Sequence, residues 1–337
     1  MSHFRMSVEW KKKNGGLRKI PVVFREDHGL KKEELEELIK EKKENLKILE
    51  QEYGKNNAYI EELSNLAHLQ LEAKNFESAE KNYRVCLKHF KKQKDRLGQA
   101  AVFGILGTLY FQKKDYKQSI EYYEKAYEIY EVLKQSQEKI ICLIGIGNNL
   151  IRLNDLDRAT DKFLECSEFC SEANDIYGLL ECLSNLIHIH EEQERWDVVF
   201  ELYRKTLKAF KELDDKQGII TSYFNLGILM KKIENMEEAL RYFKKGTNVA
   251  IETNYVESII KGLSYISECL FYQGKLREAK NQLIKALHLA DKVEAKNAII
   301  QLKVLLRSLG LKEEDIQKEL QNYRNSDNNV NNKTNLI

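Results

Sequence analysis

The stretch Phe103-Gly-Ile-Leu-Gly-Thr-Leu-Tyr110, continued by Lys114-Asp-Tyr-Lys-Gln-Ser-Ile-Glu-Tyr-Tyr123-Glu-Lys-Ala126, is spelled again 40 residues away in either direction. With Gly107 as the phase mark, Ala67, Gly107, Gly147, Ile187, Gly227 and Ser267 follow one another without insertion or deletion. One step before the mark stand Leu66, Leu106, Ile146, Leu186, Leu226 and Ile266, and four steps before it Leu63, Phe103, Leu143, Leu183, Tyr223 and Leu263. That spacing is one apolar stripe of a helix. Twelve and sixteen steps after the mark come Ala79 with Tyr83, Ser119 with Tyr123, Ala159 with Phe163, Val199 with Tyr203, Ala239 with Phe243, and Ala279 with Leu283. They form the stripe of a second helix.

Short polar hinges such as Lys114-Asp115 and Asn154-Asp155 join the two helices of each copy, and a hinge of that length permits only antiparallel packing. A small residue at the mark and another twelve later let the two helices approach. The bulky residue four positions further on, an aromatic in every copy but the last, fills the wedge between them. Larger residues at the small positions would cost about 1–3 kcal/mol through overpacking.

The spacing Phe103-x2-Leu106-Gly107-x2-Tyr110, with the small residue and aromatic of the second helix, resembles the tetratricopeptide signature, over about Tyr59 to Val293. Two features depart from that pattern. The period is longer than the usual ~34 residues, and the closing proline is missing, since Pro21 is the only proline in the chain. The copies are similar to the long-repeat branch of the family, seen in cell-polarity adaptors and bacterial peptide-sensing arrays. Asp95-x2-Gly98, Asp175-x2-Gly178 and Asp215-x2-Gly218 resemble the Asp and Gly that open the first helix there, the aspartate being placed to cap the helix start.

The resemblance implies an all-α fold, a right-handed α-solenoid of six tetratricopeptide-like helical hairpins. The repeats occupy residues 57–293, between an N-terminal capping helix at 30–56 and C-terminal capping helices at 294–324. Residues 1–29 form a basic arm in which Pro21 and the β-branched pair after it favour extended backbone. Two readings of the arm stay open: it wraps the first helices, or it docks as a peptide, in one version into the protein's own groove beside Glu61 and Glu72. Residues 325–337, rich in asparagine and poor in core residues, read as disordered.

Fifty-five basic residues against fifty-three acidic ones leave a formal charge of +2, which gives no global attraction to nucleic acid or membrane. The chain shows neither a long apolar run nor a signal-peptide pattern, so membrane insertion is not expected and a cytoplasmic location is. No lysine-terminated phosphate loop, nucleophile elbow or His-Glu-x-x-His motif occurs. Neither an enzyme nor a cofactor is expected. Cys166 and Cys170 share a helix face and Cys182 lies on the next first helix. A thiolate metal site there would need a fourth ligand, for which Cys142 is the candidate. Small residues filling a seam is the preferred reading, so no metal is assigned.

In tetratricopeptide arrays the first helices line the concave side. By that resemblance the peptide-binding residues are Asn65, His68, Ile105, Thr108, Ile144, Asn148, Arg152, Asn185, His188, Asn225, Lys232 and Lys261. Repeats one and four read as acidic, two and three as apolar, and five and six as basic and aromatic. Asn65, Asn185 and Asn225 stand where related arrays aim an amide at a ligand backbone, a task that needs a group both donating and accepting. The expected function is a non-enzymatic scaffold holding a peptide segment of a partner protein. The alternative is a peptide-responsive sensor whose superhelix changes on ligand binding.

Overall fold

The computed structural model describes residues 32–334 and four short strands ahead of them, with side chains from Lys32 to Asn325. Strand β1 (Arg5–Ser7) pairs antiparallel with β4 (Val23–Arg25), and β2 (Trp10–Lys13) with β3 (Gly16–Lys19). The arm read as extended therefore contains strand pairing. Whether it wraps the first helices or enters a groove lies outside the described residues.

Fifteen helices follow: α1 (Lys32–Tyr53), α2 (Asn57–Glu72), α3 (Phe76–Lys92), α4 (Arg96–Gln112), α5 (Tyr116–Val132), α6 (Ser136–Arg152), α7 (Leu156–Glu172), α8 (Ile176–Glu192), α9 (Trp196–Glu212), α10 (Lys216–Lys232), α11 (Met236–Glu252), α12 (Val256–Tyr272), α13 (Leu276–Lys292), α14 (Lys296–Ser308) and α15 (Glu313–Thr334). From α4 to α14 every helix begins 20 residues after its predecessor. The backbone thus repeats at half the period of the sequence signature, with joints between repeats as short as hinges within them. α15 continues past Asn325, where the composition had suggested that order ends.

One stereochemical device serves every joint from α2 to α14. Its second residue sits in the left-handed region, as at Lys74, Lys94, Lys114, Lys134, Asn154, Asn174, Glu194, Asp214, Glu234, Asn254, Gly274 and Glu294. At the hinge before α5, Lys114 N donates to Phe111 O at 2.9 Å and Asp115 N to Tyr110 O at 2.9 Å, which closes α4 as a Schellman motif does. The Asp115 carboxylate then accepts from Gln118 N at 3.2 Å and opens α5. One residue therefore ends one helix and caps the next. Asp95, Asp175 and Asp215 cap as the sequence implies, accepting from Gly98, Gly178 and Gly218 N at 2.9, 3.0 and 3.0 Å.

The small-plus-aromatic wedge is equally plain. A Cβ on Gly107 would lie 2.9 Å from the Tyr123 ring, on Gly147 2.6 Å from Phe163, and on Gly227 2.6 Å from Phe243. Ser119 Oγ donates to Gly107 O at 2.7 Å, so even the polar small residue in that seam is satisfied.

The chain divides into two compact units, Met1–Cys182 and Leu183–Ile337. In the first, α1 to α7 pack each on the next, burying Leu35, Ile39 and Leu46 of α1 against the first repeats. In the second, α9 to α14 do the same and α15 folds back onto α13. There Phe243 stacks on Tyr265 at 4.6 Å between ring centroids, with Phe224 edge-on to Tyr265 at 5.6 Å. Each unit is a stack of helical hairpins. No helix among the described residues is long and apolar enough to cross a membrane.

Candidate functional site

In the first unit the first helices of the repeats are α2, α4 and α6. Asn65, His68, Thr108 and Asn148 are half-buried and Arg152 is exposed, whereas Ile105 and Ile144 are buried at 6% and 9% exposure. The two isoleucines are therefore mostly packed within the stack, Ile105 also bordering a cavity. Thr108 Oγ1 is already engaged with the Tyr123 hydroxyl at 2.9 Å, and His68 Nε2 lies 3.5 Å from Glu72. The amides of Asn65 and Asn148 make no side-chain hydrogen bond among the described residues.

Asn65 stands at the edge of a cavity of about 270 Å³, lined by Leu38 and Lys42 of α1, Ser64, Asn65, His68 and Leu69 of α2, Tyr83 of α3 and Ile105 of α4. The α1 residues escaped the sequence reading, which took that helix for a cap. Leu38 lies on the apolar face that makes it one, so the signal was present in the heptad-like spacing of Leu35, Leu38 and Ile39.

Three tyrosines occupy the same repeat position, sixteen after the mark, and they differ in one respect. Tyr123 OH shares a hydrogen bond with Thr108 and Tyr203 OH donates to Glu191 Oε1 at 3.0 Å. Tyr83 is fully buried, yet its hydroxyl has no partner. The residue corresponding to Thr108 is His68, which turns to Glu72; the one corresponding to Glu191 is Leu71, which cannot accept. Burial pushes the Tyr83 hydroxyl far above its ordinary pKa, so it remains a proton donor.

The second unit presents α8, α10, α12 and α14. Asn185 and Asn225 are half-buried, and His188 is exposed with Nε2 3.5 Å from Glu192. The basic character expected of repeats five and six is largely spent internally. Lys231 bridges to Glu268 at 2.7 Å, and the Lys232 ammonium lies over the Trp196 ring at 4.1 Å. Lys261 is exposed, with its ammonium 5.8 Å from the Tyr265 ring centre. Phe271 and Tyr272, at 48% and 62% exposure, leave an aromatic surface at the end of α12.

Among the described residues, one cluster brings metal-ligating atoms together. Cys166, Cys170 and Cys182 are buried with their sulfurs all within 4.8 Å of one another, the first two 4.0 Å apart. Cys142 stands outside this group, so the fourth ligand that zinc requires is not supplied by it. Cys170 is pulled below an ordinary thiol by hydrogen bonds from Cys166 and Cys182. Cys166 Sγ also lies 3.7 Å from Ile140 O, as Cys86 Sγ lies 3.8 Å from Ile60 O at the same repeat position with no thiol neighbour. Cys170 packs on Gly178 where Phe90 and Phe210 pack on Gly98 and Gly218. Both thiols thus fill places that other copies fill without sulfur chemistry.

A family model for the tetratricopeptide repeat matches residues 98–172 and 179–252. The chain is 31% identical over 133 residues to regulatory protein RapD of Bacillus subtilis, covering 39% of this chain and 37% of that protein. It is 25% identical over 210 residues to response regulator aspartate phosphatase I of the same organism, covering 62% and 52% respectively. The chain therefore spans between about a third and a half of these relatives. Among solved structures, a signal transduction ATPase with a tetratricopeptide repeat sensor from Pyrococcus horikoshii superposes with a TM-score of 0.55 at 15% identity, over 87% of this chain and 43% of that one. At that identity the likeness is one of fold.

Proposed function

The chain is a tetratricopeptide-repeat protein, and from that premise we propose that it is a non-enzymatic interaction scaffold, cytoplasmic, holding a peptide segment of a partner protein against the first-helix floors of its repeats. The observation that carries this reading is a set of amides left unused. Asn65, Asn148 and Asn225 are half-buried on first helices and none makes a side-chain hydrogen bond among the described residues. A carboxamide donates and accepts at once, as a peptide group does. Asn65 and Asn148 in the first unit, and Asn225 by itself in the second, are each placed to meet the backbone of a bound segment.

Selection of displayed random peptides on the immobilised protein tests this. Asn65→Ala and Asn148→Ala should weaken peptides held by the first unit, and Asn225→Ala those held by the second, about 5–30-fold, the loss of one or two hydrogen bonds, with unchanged helicity. Aspartate at Ile105 or Ile144 is unsuited to the test, because those buried side chains hold the floor together. Selected peptides that bind all three variants as tightly as the parent would remove the floors from consideration.

The second reading, a peptide-responsive regulator, is favoured by the relative whose name marks it as a regulatory protein. It predicts that a selected peptide alters hydrogen exchange in helices that do not touch it. Protection limited to the contacted helices would leave the scaffold alone.

A further inference from the structure

Taken singly, Cys166, Cys170 and Cys182 occupy places that the array fills for packing, yet no other copy carries more than one cysteine across the same three places. The first repeat has Cys86, Phe90 and Val102 there, and the fourth has Thr206, Phe210 and Ser222. Packing in those copies is served by one ring and two smaller side chains. The third repeat has no ring, and its thiols gather instead. Sγ of Cys166 and Sγ of Cys170 are 4.0 Å apart, and all three sulfurs lie within 4.8 Å of one another. The three residues belong to the first compact unit and are fully buried.

For an ion at the centre of a triangle of sulfurs, an edge of 4.0 Å corresponds to a metal-to-sulfur distance of about 2.3 Å, the length of a zinc-thiolate bond. The other two edges need to close by no more than about 0.8 Å to complete such a triangle. Four-coordinate zinc is unsuited, because the group has no fourth ligand among the described residues and full burial leaves no side open to water. Sulfur ligands alone select soft ions, and of these Cu(I) is the one satisfied by so few. The ion would occupy the space between atoms that already stand together, so it needs no exposed surface at the sulfurs. Entry requires α7 to open locally, which stacked repeats allow.

We propose that Cys166, Cys170 and Cys182 form a three-coordinate site for a soft monovalent metal ion, Cu(I) being the ion they fit. Binding exchanges thiol protons, released to solvent, for the ion, with no change of oxidation state. Cys166 and Cys170 lie on α7 and Cys182 on α8, so the ion ties two consecutive helices and should slow hydrogen exchange in α7. The site makes no use of the asparagine floors and stands or falls apart from the peptide reading.

The test uses the full chain, reduced and free of oxygen, with Cu(I) supplied from a chromophoric chelator both to the folded protein and during refolding. One Cu(I) per chain is expected, with three sulfurs at about 2.3 Å in its X-ray absorption spectrum. Cys166→Ala, Cys170→Ala and Cys182→Ala should each weaken retention about tenfold or more and lower the sulfur count to two. Cys86→Ala and Cys269→Ala, at buried thiols outside the group, should change neither. Cys170→Phe guards against a folding defect, since Phe90 and Phe210 hold that position in other copies; it should keep native helicity and lose the three-sulfur signature. Copper retained under neither condition, copper bound by two sulfurs in the unaltered chain, or uptake that Cys170→Phe leaves intact would each return the thiols to packing. Zinc held by four ligands would likewise overturn the three-coordinate site.

Discussion

Replacing Tyr83 by phenylalanine should stabilise the free protein, although the same change at Tyr123 or Tyr203 should destabilise it. A buried hydroxyl without a partner costs about 1–3 kcal/mol of desolvation, and Tyr83 is fully buried with its hydroxyl unbonded. Phenylalanine abolishes that cost. Against it stand the few dispersion contacts of one oxygen atom, each about 0.1–0.2 kcal/mol. The net gain is therefore about 0.5–2 kcal/mol, or roughly 2–4 °C in melting temperature for each kcal/mol in a unit of this size. At Tyr123 the change deprives Thr108 of a 2.9 Å hydrogen bond, and at Tyr203 it removes a donor from the Glu191 carboxylate. Each loss should cost about 0.5–1.5 kcal/mol, more where the acceptor is charged. Because stacked repeats open locally, the sharpest measurement is native-state hydrogen exchange, read at α2 and α3 for Tyr83→Phe and at the corresponding hairpins for the others. If Tyr83→Phe loosens α2 and α3 as much as Tyr123→Phe loosens α4 and α5, the hydroxyl has a partner in solution. The reasoning from an orphaned donor would then be wrong.

Lys114→Gly should raise stability by about 1 kcal/mol, since Lys114 sits at φ 64°, a region that costs a residue with a Cβ about 1–2 kcal/mol; the larger entropy of glycine in the unfolded chain offsets part of the gain. Urea unfolding that shows a loss would mean the lysine side chain contributes more than its backbone costs. Gly147→Ala places a Cβ 2.6 Å from the Phe163 ring and should cost about 1–3 kcal/mol, visible as faster exchange in α6 and α7. The Glu313 carboxylate is held at about 2 by Lys303 first, then Arg307 and Gln317. Its contribution to docking α15 on α14 is thus complete above the ordinary carboxylate range and disappears as pH falls from about 4.5 towards 2. Exchange of α15 should lose that pH dependence in Glu313→Gln, and an unchanged profile would show the contact to be idle.

What the sequence disclosed, and what it hid, follow from whether a requirement falls on residue type or on position alone. Close approach of two helices restricts Gly107, Gly147 and Gly227 to glycine, because each meets an aromatic ring at less than 3 Å from where a Cβ would be. Such a restriction is written into the letters. A carboxylate that must cap a helix is likewise visible at Asp95, Asp175 and Asp215. The left-handed residue of each joint is hidden, because solvent-facing lysine, asparagine, glutamate and aspartate all tolerate it at modest cost. Hence the 40-residue period is legible and the 20-residue one beneath it is not. The site was read less completely for a related reason. A charge map drawn from first-helix positions treats Lys231 and Lys232 as available, yet their partners Glu268 and Trp196 stand 37 and 36 residues away in sequence, on neighbouring helices. Likewise the burial of Ile105 and Ile144 is set by packing that a count of positions does not see. Tyr83 has the same logic in reverse. Nothing in the letters distinguishes Tyr83 from Tyr123 or Tyr203; the distinction arises because His68 and Leu71 stand where the other repeats carry an acceptor. A repeat array makes such a difference interpretable, since its own neighbouring copies show what the position does when it serves only the fold.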